Sequence, residues 1–469
     1  MFSHQLGRAL ALASALLLSA CKSFSPDGGM SAVAEVAGGG LNKNVVRISS
    51  AADASLARGE VSRLLRAPLS PDAAVQIALL NNSGLQAAYN RLGVAEAVMV
   101  QTSRPPLPSF GFDWVKTSIE LDVERQIVAS ILSLATWPAR SKLAGIRFEQ
   151  AELRAAEETL RLAAETRRAY IRAVAARQIL TALNSAKASA TFSASLSESL
   201  TQTGAVSKLE HAKRQVFATE MEAQVTAARQ QAAGSEERLT RMLGLLGTDL
   251  GGLLPNALPP LPGHARSLGP VEQQAMERRV DLAVARLEAE ALARSFGLTR
   301  KTRFINVLDA AGISKTQKDK GEPSADGGGF NIAFEVPLYD FGNARVREAE
   351  QRYLEAINAL AQKAVNARSE AREAFGAYKA SYAIAAQYEH EVLPLRETIS
   401  AETELQFNAM QIDAFALLEA ARAKADAQVA SIEARRNFWL ASTDLSVAVL
   451  GGGGLSDGRP IVSADASDN

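Results

Sequence analysis

One stretch constrains the fold more than any other. From Phe330 the sequence reads FNIAFEVPLY, in which Phe330, Ile332, Phe334, Val336 and Leu338 alternate with Asn331, Ala333, Glu335 and Pro337. Alternation with a period of two marks a strand with one apolar face. The period then changes. Tyr353, Ile357, Leu360, Ala364, Ala367, Ala371, Ala374, Tyr378, Ser381, Ala385 and Tyr388 follow a 4-3-4-3 spacing, a heptad seam built mostly of small residues. No proline interrupts the run from Asn343 to Pro394. At 1.5 Å per residue, some fifty residues make a rod of roughly 75 Å, far beyond an ordinary globular helix. A strand that feeds almost directly into such a rod suggests a molecule that reaches from one place to another.

Composition agrees. The 469 residues are 47% hydrophobic but only 6% aromatic. Alanine carries much of that apolar content, which favours long helices over a thick core. Lys+Arg and Asp+Glu both number 51, so nothing in the charge points to nucleic acid. The single cysteine, Cys21, excludes an intrachain disulfide and a metal cluster built on several cysteines.

Residues 1–20 carry Arg8 and an apolar run, Ala9 to Leu18, too short to span a bilayer. They read as a signal peptide. Residues 21–68, with Gly38-Gly39-Gly40, read as a tether. A first repeat, 69–250, opens at Ser70-Pro71-Asp72, a helix start with serine as N-cap and proline at the first helical position. One helix up to Pro105 follows. Two strand-like runs come next, Phe110-Phe112-Trp114 and Ile119-Leu121-Val123 in their alternating positions, and then a proline-free run from Pro138 to Pro255. Thr203-Gly204-Ala205 breaks that run into a hairpin of two long helices, and Leu243-Gly244 ends the second arm. Residues 251–270 hold five prolines and form a linker. The second repeat, 271–451, begins with another helix. A less clean strand over Arg303 to Ile313, a polar Gly-rich loop through Gly327-Gly328-Gly329, and the fourth strand follow. The long rod has a kink expected at Pro394 and a second turn near Asn408 to Asp413. Residues 452–469 read as a tail.

The two halves match in order. Gln76-Ile77-Ala78 corresponds to Gln273-Gln274-Ala275 at an offset of 197; Gly204-Ala205-Val206-Ser207 to Met410-Gln411-Ile412-Asp413 at 206; and Leu243-Gly244 to Leu450-Gly451 at 207. Each half is helix, two strands, long helix, turn, long helix. Four strands of about ten residues have the length of tilted membrane-crossing β-strands. They cannot close a barrel alone, and open edges are not tolerated in lipid. Strands and helical seams both need partners from other copies of the chain.

Leu18-Ser19-Ala20-Cys21 resembles the bacterial lipobox, which implies cleavage before Cys21 and acylation of its thiol and new amino terminus. An ordinary signal peptide, or an uncleaved apolar tail with an incidental cysteine, is the alternative. Lys22, in place of aspartate, is compatible with outer-membrane sorting in that lipoprotein class. From Ser70 to Gly451 the chain resembles the outer-membrane efflux proteins, the TolC-type channel-tunnels. The resemblance is carried by the lipobox, LSPDAAVQIALLNN with its echo ERRVDLAVARLEAEA, VPLYDFGNARVREAEQ, TGAVSKLEHA and the closing Leu-Gly of each half. It implies a mainly α fold with a small transmembrane β part. Long helical hairpins and four strands per chain would close, in a homotrimer, as a 12-stranded barrel in outer-membrane lipid and a periplasmic α-helical tunnel.

The same resemblance implies a passive conduit of a tripartite efflux or secretion system that docks onto a periplasmic adaptor and an inner-membrane pump. The docking tips are Gly204, Val206 and Ser207 in the first repeat and Met410, Ile412 and Asp413 in the second. At the second tip Met410 stands where the family commonly has glycine. Glu210, Asp413 and Glu419 fall where acidic residues of related channels ring a closed entrance. Alternation sends Asp113, Glu120, Asp122, Glu124 and Glu335 to the face opposite the apolar one, an acidic lumen in which almost no basic residue shares the wall and Arg125 lies near a strand end. A periplasmic adaptor lipoprotein would need one hairpin between β-rich domains. A structural coiled-coil lipoprotein would not need two-faced strands.

No catalytic constellation, cofactor motif or metal-ligand set is present in the sequence. His4, His211, His264 and His390 are scattered and read as packing or solvated residues. The glycine triplet lacks a following Lys-Ser/Thr. Asp340-Phe341-Gly342 matches a kinase metal motif without the rest of that signature.

Overall fold

A computed structural model describes residues 23–245, 250, 252–265 and 269–452. Cys21, the lipobox, the signal segment and nearly all of the tail lie outside them. The elements are α1 (Met30–Val33), a π turn (Ala34–Gly38), α2 (Gly39–Leu41), α3 (Ala51–Leu64), α4 (Pro71–Asn81), α5 (Ser83–Thr102), β1 (Ser109–Lys116), β2 (Glu120–Ser130), α6 (Ile131–Gln202) and α7 (Lys208–Met242). They continue as α8 (Val271–Arg278), α9 (Val280–Lys301), β3 (Val307–Asp319), β4 (Ala325–Glu335), α10 (Asn343–Gln387), a π turn (Tyr388–Val392), α11 (Leu393–Asn408) and α12 (Ala414–Leu450). Two compact units result. One holds the described residues within 1–32, 89–155 and 282–363, and the other those within 33–88, 156–281 and 364–469. Each unit therefore draws on both repeats.

The first unit carries the sheet. β1, β2, β3 and β4 pair in that order, every neighbour antiparallel, so the two hairpins lie side by side and β1 and β4 are open edges. The polar run Ser314–Asp319, expected as loop, is the second half of β3, and Gly327-Gly328-Gly329 lies inside β4. Cross-strand pairing supplies the backbone hydrogen bonds there, and it overrides the weak strand propensity of glycine and lysine. Helical segments of this unit meet through small contacts. Met99, Val100 and Ala144 are buried against Phe148, Trp137 Nε1 donates to Ser103 O at 2.9 Å, and Phe296 stacks on Tyr353.

The second unit holds the larger core. Leu69, Ile77, Tyr170, Val174, Leu239, Leu243 and Ile432 form one cluster; Ala371, Ala374, Tyr378, Ala434 and Phe438 form another. Alanines on the α10 seam are buried as the heptad spacing requires. The proline-rich linker is laid on this core. Leu254 and Leu258 are buried, Trp439 Nε1 donates to Pro259 O at 3.1 Å, and the Tyr382 hydroxyl donates to Pro262 O at 2.9 Å. The expected tether is also ordered. Ser50 and Asp53 form a capping box at the start of α3. Gln76 and Gln86 each exchange two hydrogen bonds with the extended segment 44–48.

The helix expected from Ser70 to Pro105 is broken at Asn82, and its echo is broken at Arg279; both residues leave the helical region, with ψ of 114° and 118°. Periodicity continues through each break, so the pattern alone hides it. Ser70 does cap α4, accepting from Ala73 N at 3.1 Å. The interruption expected at Pro394 is a π turn just ahead of it, closed by Leu393 N on Tyr388 O, because proline has no N–H to give and crowds the preceding turn.

Candidate functional site

Residues directly opposite each other on paired strands share a face. Asp113 faces Glu124, Glu124 faces Lys315, Lys315 faces Gly327, and Glu120 faces Asp319. The five expected wall residues Asp113, Glu120, Asp122, Glu124 and Glu335 therefore lie on one face across the sheet. Phe110, Phe112, Trp114, Leu121, Val123, Phe330, Ile332 and Phe334 lie on the other. The aromatic members are largely uncovered: Phe112 is 67% exposed and Phe334 70%.

The acidic face differs from the expected one in three ways. Asp309 and Asp319 of β3 share it: Asp309 through its pairing with Ser130 and Ala333, and Asp319 because the strand runs six residues further than its apolar pattern suggests. Lys315 shares it too, and its ammonium pairs with Asp122 at 2.7 Å. Gln317 Nε2 donates to Glu120 at 2.8 Å and Asn306 Nδ2 to Glu335 at 2.9 Å. A salt bridge on an exposed sheet face contributes little to stability, but it removes one negative charge from the field. Arg125, expected near a strand end, sits in mid-strand opposite Phe112 and Ser314 on the apolar face. Its stem is long enough to carry the charge sideways out of an apolar layer.

The two expected tips are one turn built twice. Gly204 N donates to Thr201 O at 3.1 Å and Ala205 N to Leu200 O at 2.9 Å. At an offset of 206, Met410 N donates to Phe407 O at 3.0 Å and Gln411 N to Gln406 O at 2.9 Å. Gly204 and Met410 both have positive φ, 76° and 57°. Ser207 and Asp413 cap the helices that follow, accepting from Glu210 N at 3.2 Å and Ala416 N at 2.9 Å. The helices after the turns, α7 and α12, meet nearby: Arg422 pairs with Glu220 and lies over the Phe217 ring, and Leu418 packs on Ala190, Ala194, Phe217, Ala218 and Met221. The turns themselves stay open to solvent, and Met410 is 94% exposed.

Of the three acidic residues near the turns, Asp413 is committed to its cap, Glu210 is half-buried in the first turn of α7, and Glu419 is exposed on α12. His211 has a structural bond. Ser197 Oγ donates to Ala194 O at 2.8 Å and lies 2.9 Å from His211 Nδ1, so the ring nitrogen is the donor. Among the described residues no group of three or more His, Cys, Asp or Glu is placed to hold a metal ion. Among them, too, no helix is long and apolar enough to cross a membrane.

No family model and no curated protein matches the sequence. Solved structures do match the fold. The outer-membrane channel OprN shares 18% identity at a TM-score of 0.70, over 85% of this chain and 92% of that one. The Campylobacter jejuni outer-membrane channel CmeC shares 18% identity at 0.68, over 81% and 86%. The Vibrio cholerae outer-membrane protein VceC shares 17% at 0.67, over 81% and 96%. Through nearly their whole length, the mainly helical chain with its four-stranded antiparallel sheet has the fold of these outer-membrane channels.

Proposed function

We propose that the chain is the outer-membrane conduit of a tripartite efflux or secretion system. The observation that carries the reading is the two-faced sheet with two open edges. One face is aromatic and bare, the other acidic, and both edge strands expose unpaired backbone groups. In water such a sheet aggregates; in lipid it must close. Three copies place twelve strands in a ring, with Phe112, Trp114, Ile332 and Phe334 toward lipid and Asp113, Glu120, Asp122, Glu124, Asp309, Asp319 and Glu335 toward the lumen. The opposite orientation would put those carboxylates in hydrocarbon, at a cost of several kcal/mol or neutralisation.

The helical hairpins then line a periplasmic tunnel. The paired turns at Gly204–Ser207 and Met410–Asp413 are the free ends that dock onto an adaptor beneath which the inner-membrane pump sits. Glu210, Asp413 and Glu419 ring the entrance in three-fold copies, and Cys21 carries lipid. The protein moves substrate passively and is not an enzyme; the pump selects what is moved. The negative lumen concentrates cations, moderated by Lys315 on the same wall.

Fractionation and electrophoresis test the reading together. The folded protein is expected in outer-membrane fractions, migrating as a heat-modifiable trimer. Reconstituted in a bilayer, it is expected to conduct and to prefer cations in a salt gradient. Replacing Glu120, Asp122 and Glu124 by Gln or Asn lowers that preference. Recovery as a soluble periplasmic monomer would defeat the proposal, and anion preference would defeat the acidic lumen.

A further inference from the structure

Residues 23–30, which begin two positions after Cys21, lie across α5 and α6 as a strap. Ser25 is its fastening. Glu96 of α5, 4% exposed, accepts from Ser25 N at 2.6 Å and from Ser25 Oγ at 2.5 Å. Asp27 accepts from Gly29 N at 3.3 Å and Ser31 N at 2.6 Å. Gly28 and Gly29 follow with φ of 64° and 81°, a turn that glycine makes without strain. It presses the backbone of Gly29 onto α6: a Cβ there would lie 2.8 Å from Phe148 Cζ and 2.9 Å from Glu152 Oε1. The Glu152 carboxyl group is thus the floor on which the strap rests.

Every charged group that acts on Glu152 is an acid. Glu149 stands nearby on α6 itself, Asp27 comes from the strap, and Glu96 from α5. Glu288 of α9 adds a further carboxylate along α6, but Arg154 pairs with it at 3.3 Å and Gln150 donates to it at 3.0 Å. We propose that the strap is a proton-operated latch: neutral Glu152 lets residues 25–31 close over α5 and α6, and ionised Glu152 pushes them open. Burial first, and then the Glu149, Asp27 and Glu96 charges, raise the Glu152 carboxyl from 4.5 to about 7. A raised carboxyl means that the closed strap binds a proton which the open strap releases. Closure is therefore fully favoured below about pH 4.5, weakens as pH rises toward 7, and receives no help from Glu152 above it. Only this chain's own residues enter the latch, so it stands apart from the reading of the molecule as a conduit.

Hydrogen exchange of the full-length protein in detergent, followed by mass spectrometry on a peptide covering residues 25–31, tests it. After correction for intrinsic exchange, protection is expected to fall about tenfold between pH 6 and pH 8, the change that one proton bound at pH 7 and free at 4.5 produces. A core peptide around Tyr170 serves as the control for global unfolding. Glu152→Gln, which keeps the shape and removes the charge, is expected to hold the strap closed at pH 8. Asp27→Asn, which removes one repelling charge and leaves the carboxyl of Glu152, is expected to move the midpoint to lower pH. Equal protection of the native strap at both pH values, or an undiminished fall in Glu152→Gln, would overturn the latch. So would an unmoved midpoint in Asp27→Asn.

Discussion

In the first repeat α7 ends at Leu243-Gly244 against the break between α4 and α5. In the second, α12 ends at Leu450-Gly451 against the break between α8 and α9. The backbone feature shared is a glycine at positive φ, 67° and 83°, lying against the residue next to the break, Asn81 in the first repeat and Val280 in the second. The side-chain solutions differ. Asn81 donates to Leu243 O at 3.0 Å and to Gly244 O at 2.8 Å, and Asn82 donates to Met242 O at 3.1 Å. These amides satisfy the last carbonyls of the helix directly. In the second repeat the residue at the break is Arg279, 6% exposed. Its guanidinium binds Asp281 through two bonds, of 3.0 and 2.9 Å, and Glu370 of α10 at 2.6 Å. Burial pulls the guanidinium down, but Asp281 and then Glu370 outweigh it and hold it above the ordinary arginine range. One joint is neutral and ties the break to the arriving helix end; the other is ionic and ties the break to a third helix, α10.

The largest effect follows from that difference. Removing one member of a buried ion cluster strands the others, which costs about 3–5 kcal/mol. Arg279→Met is expected to lower the thermal midpoint of the purified protein sharply. Asn81→Ala, which deletes neutral hydrogen bonds, is expected to cost about 1–2 kcal/mol. Equal losses would mean that the two joints are energetically alike and that the contrast is only one of residue names. A smaller loss for Arg279→Met combined with neutral replacements of Asp281 and Glu370 would sharpen it, because the stranded charges would then be gone.

A second contrast lies in the glycines themselves. A Cβ on Gly244 would meet the backbone oxygen of Asn81 at 2.6 Å, whereas one on Gly451 would meet Val280 N at 3.0 Å. Both substitutions place alanine at positive φ, a backbone strain of roughly 1–3 kcal/mol, and the strain is the larger at Gly451, whose ψ of −176° lies in a region essentially confined to glycine. At Gly244 the Asn81 main chain must shift outright, whereas at Gly451 the Val280 main chain needs to give only a few tenths of an ångström. The shift of the Asn81 main chain, an overpacking cost of about 1–3 kcal/mol, is expected to exceed the extra backbone strain at Gly451, so Gly244→Ala is the more damaging by at most about 1 kcal/mol. Chemical denaturation of the two variants side by side checks it, and the reverse order would show that the first joint is the more compliant.

The sequence revealed these joints only in part. Leu243-Gly244 and Leu450-Gly451 stand out because a glycine after an apolar helical run is a stop signal. The breaks at Asn82 and Arg279 do not, since the apolar rhythm of 71–102 and 271–301 passes through them. A tertiary contact, the arriving helix end, decides them. The strands behave the same way. Period-two alternation exposed Phe110–Trp114 and Phe330–Phe334, and through the same parity the five acidic wall residues. The polar half of β3 carries no such signal, and its first half alternates too poorly to assign a face, so Lys315 and Asp319 from the one and Asp309 from the other joined the wall only through register. The N-terminal strap was hidden for a different reason. Its attachment to Glu96 and Glu152 joins residues more than seventy positions apart, and no local pattern announces such a pair.

The smallest expected effect concerns the turns, which close through the same two backbone bonds and place Gly204 and Met410 at the same left-handed position. A Cβ added to Gly204 would meet nothing within 4 Å, and the side chain of Met410, in the same turn, is 94% exposed. Neither site has packing to lose, so the difference between them is conformational. Methionine at φ 57° carries the strain of the left-handed region, about 1–2 kcal/mol, while glycine loses more backbone freedom on folding, which returns roughly 0.5–1 kcal/mol of that. Met410→Gly is expected to stabilise the second hairpin by about 0.5–1 kcal/mol, and Gly204→Met to destabilise the first by a similar amount. The two turns belong to different hairpins, and each closes on carbonyls of its own preceding helix, so the double exchange should come close to neutral. Hydrogen exchange at Ala205 and Gln411 resolves each turn separately, with protection rising at Gln411 in Met410→Gly and falling at Ala205 in Gly204→Met. Protection that falls in Met410→Gly would mean that the methionine side chain holds its turn through contacts of its own, and the second tip would then be a different structure from the first.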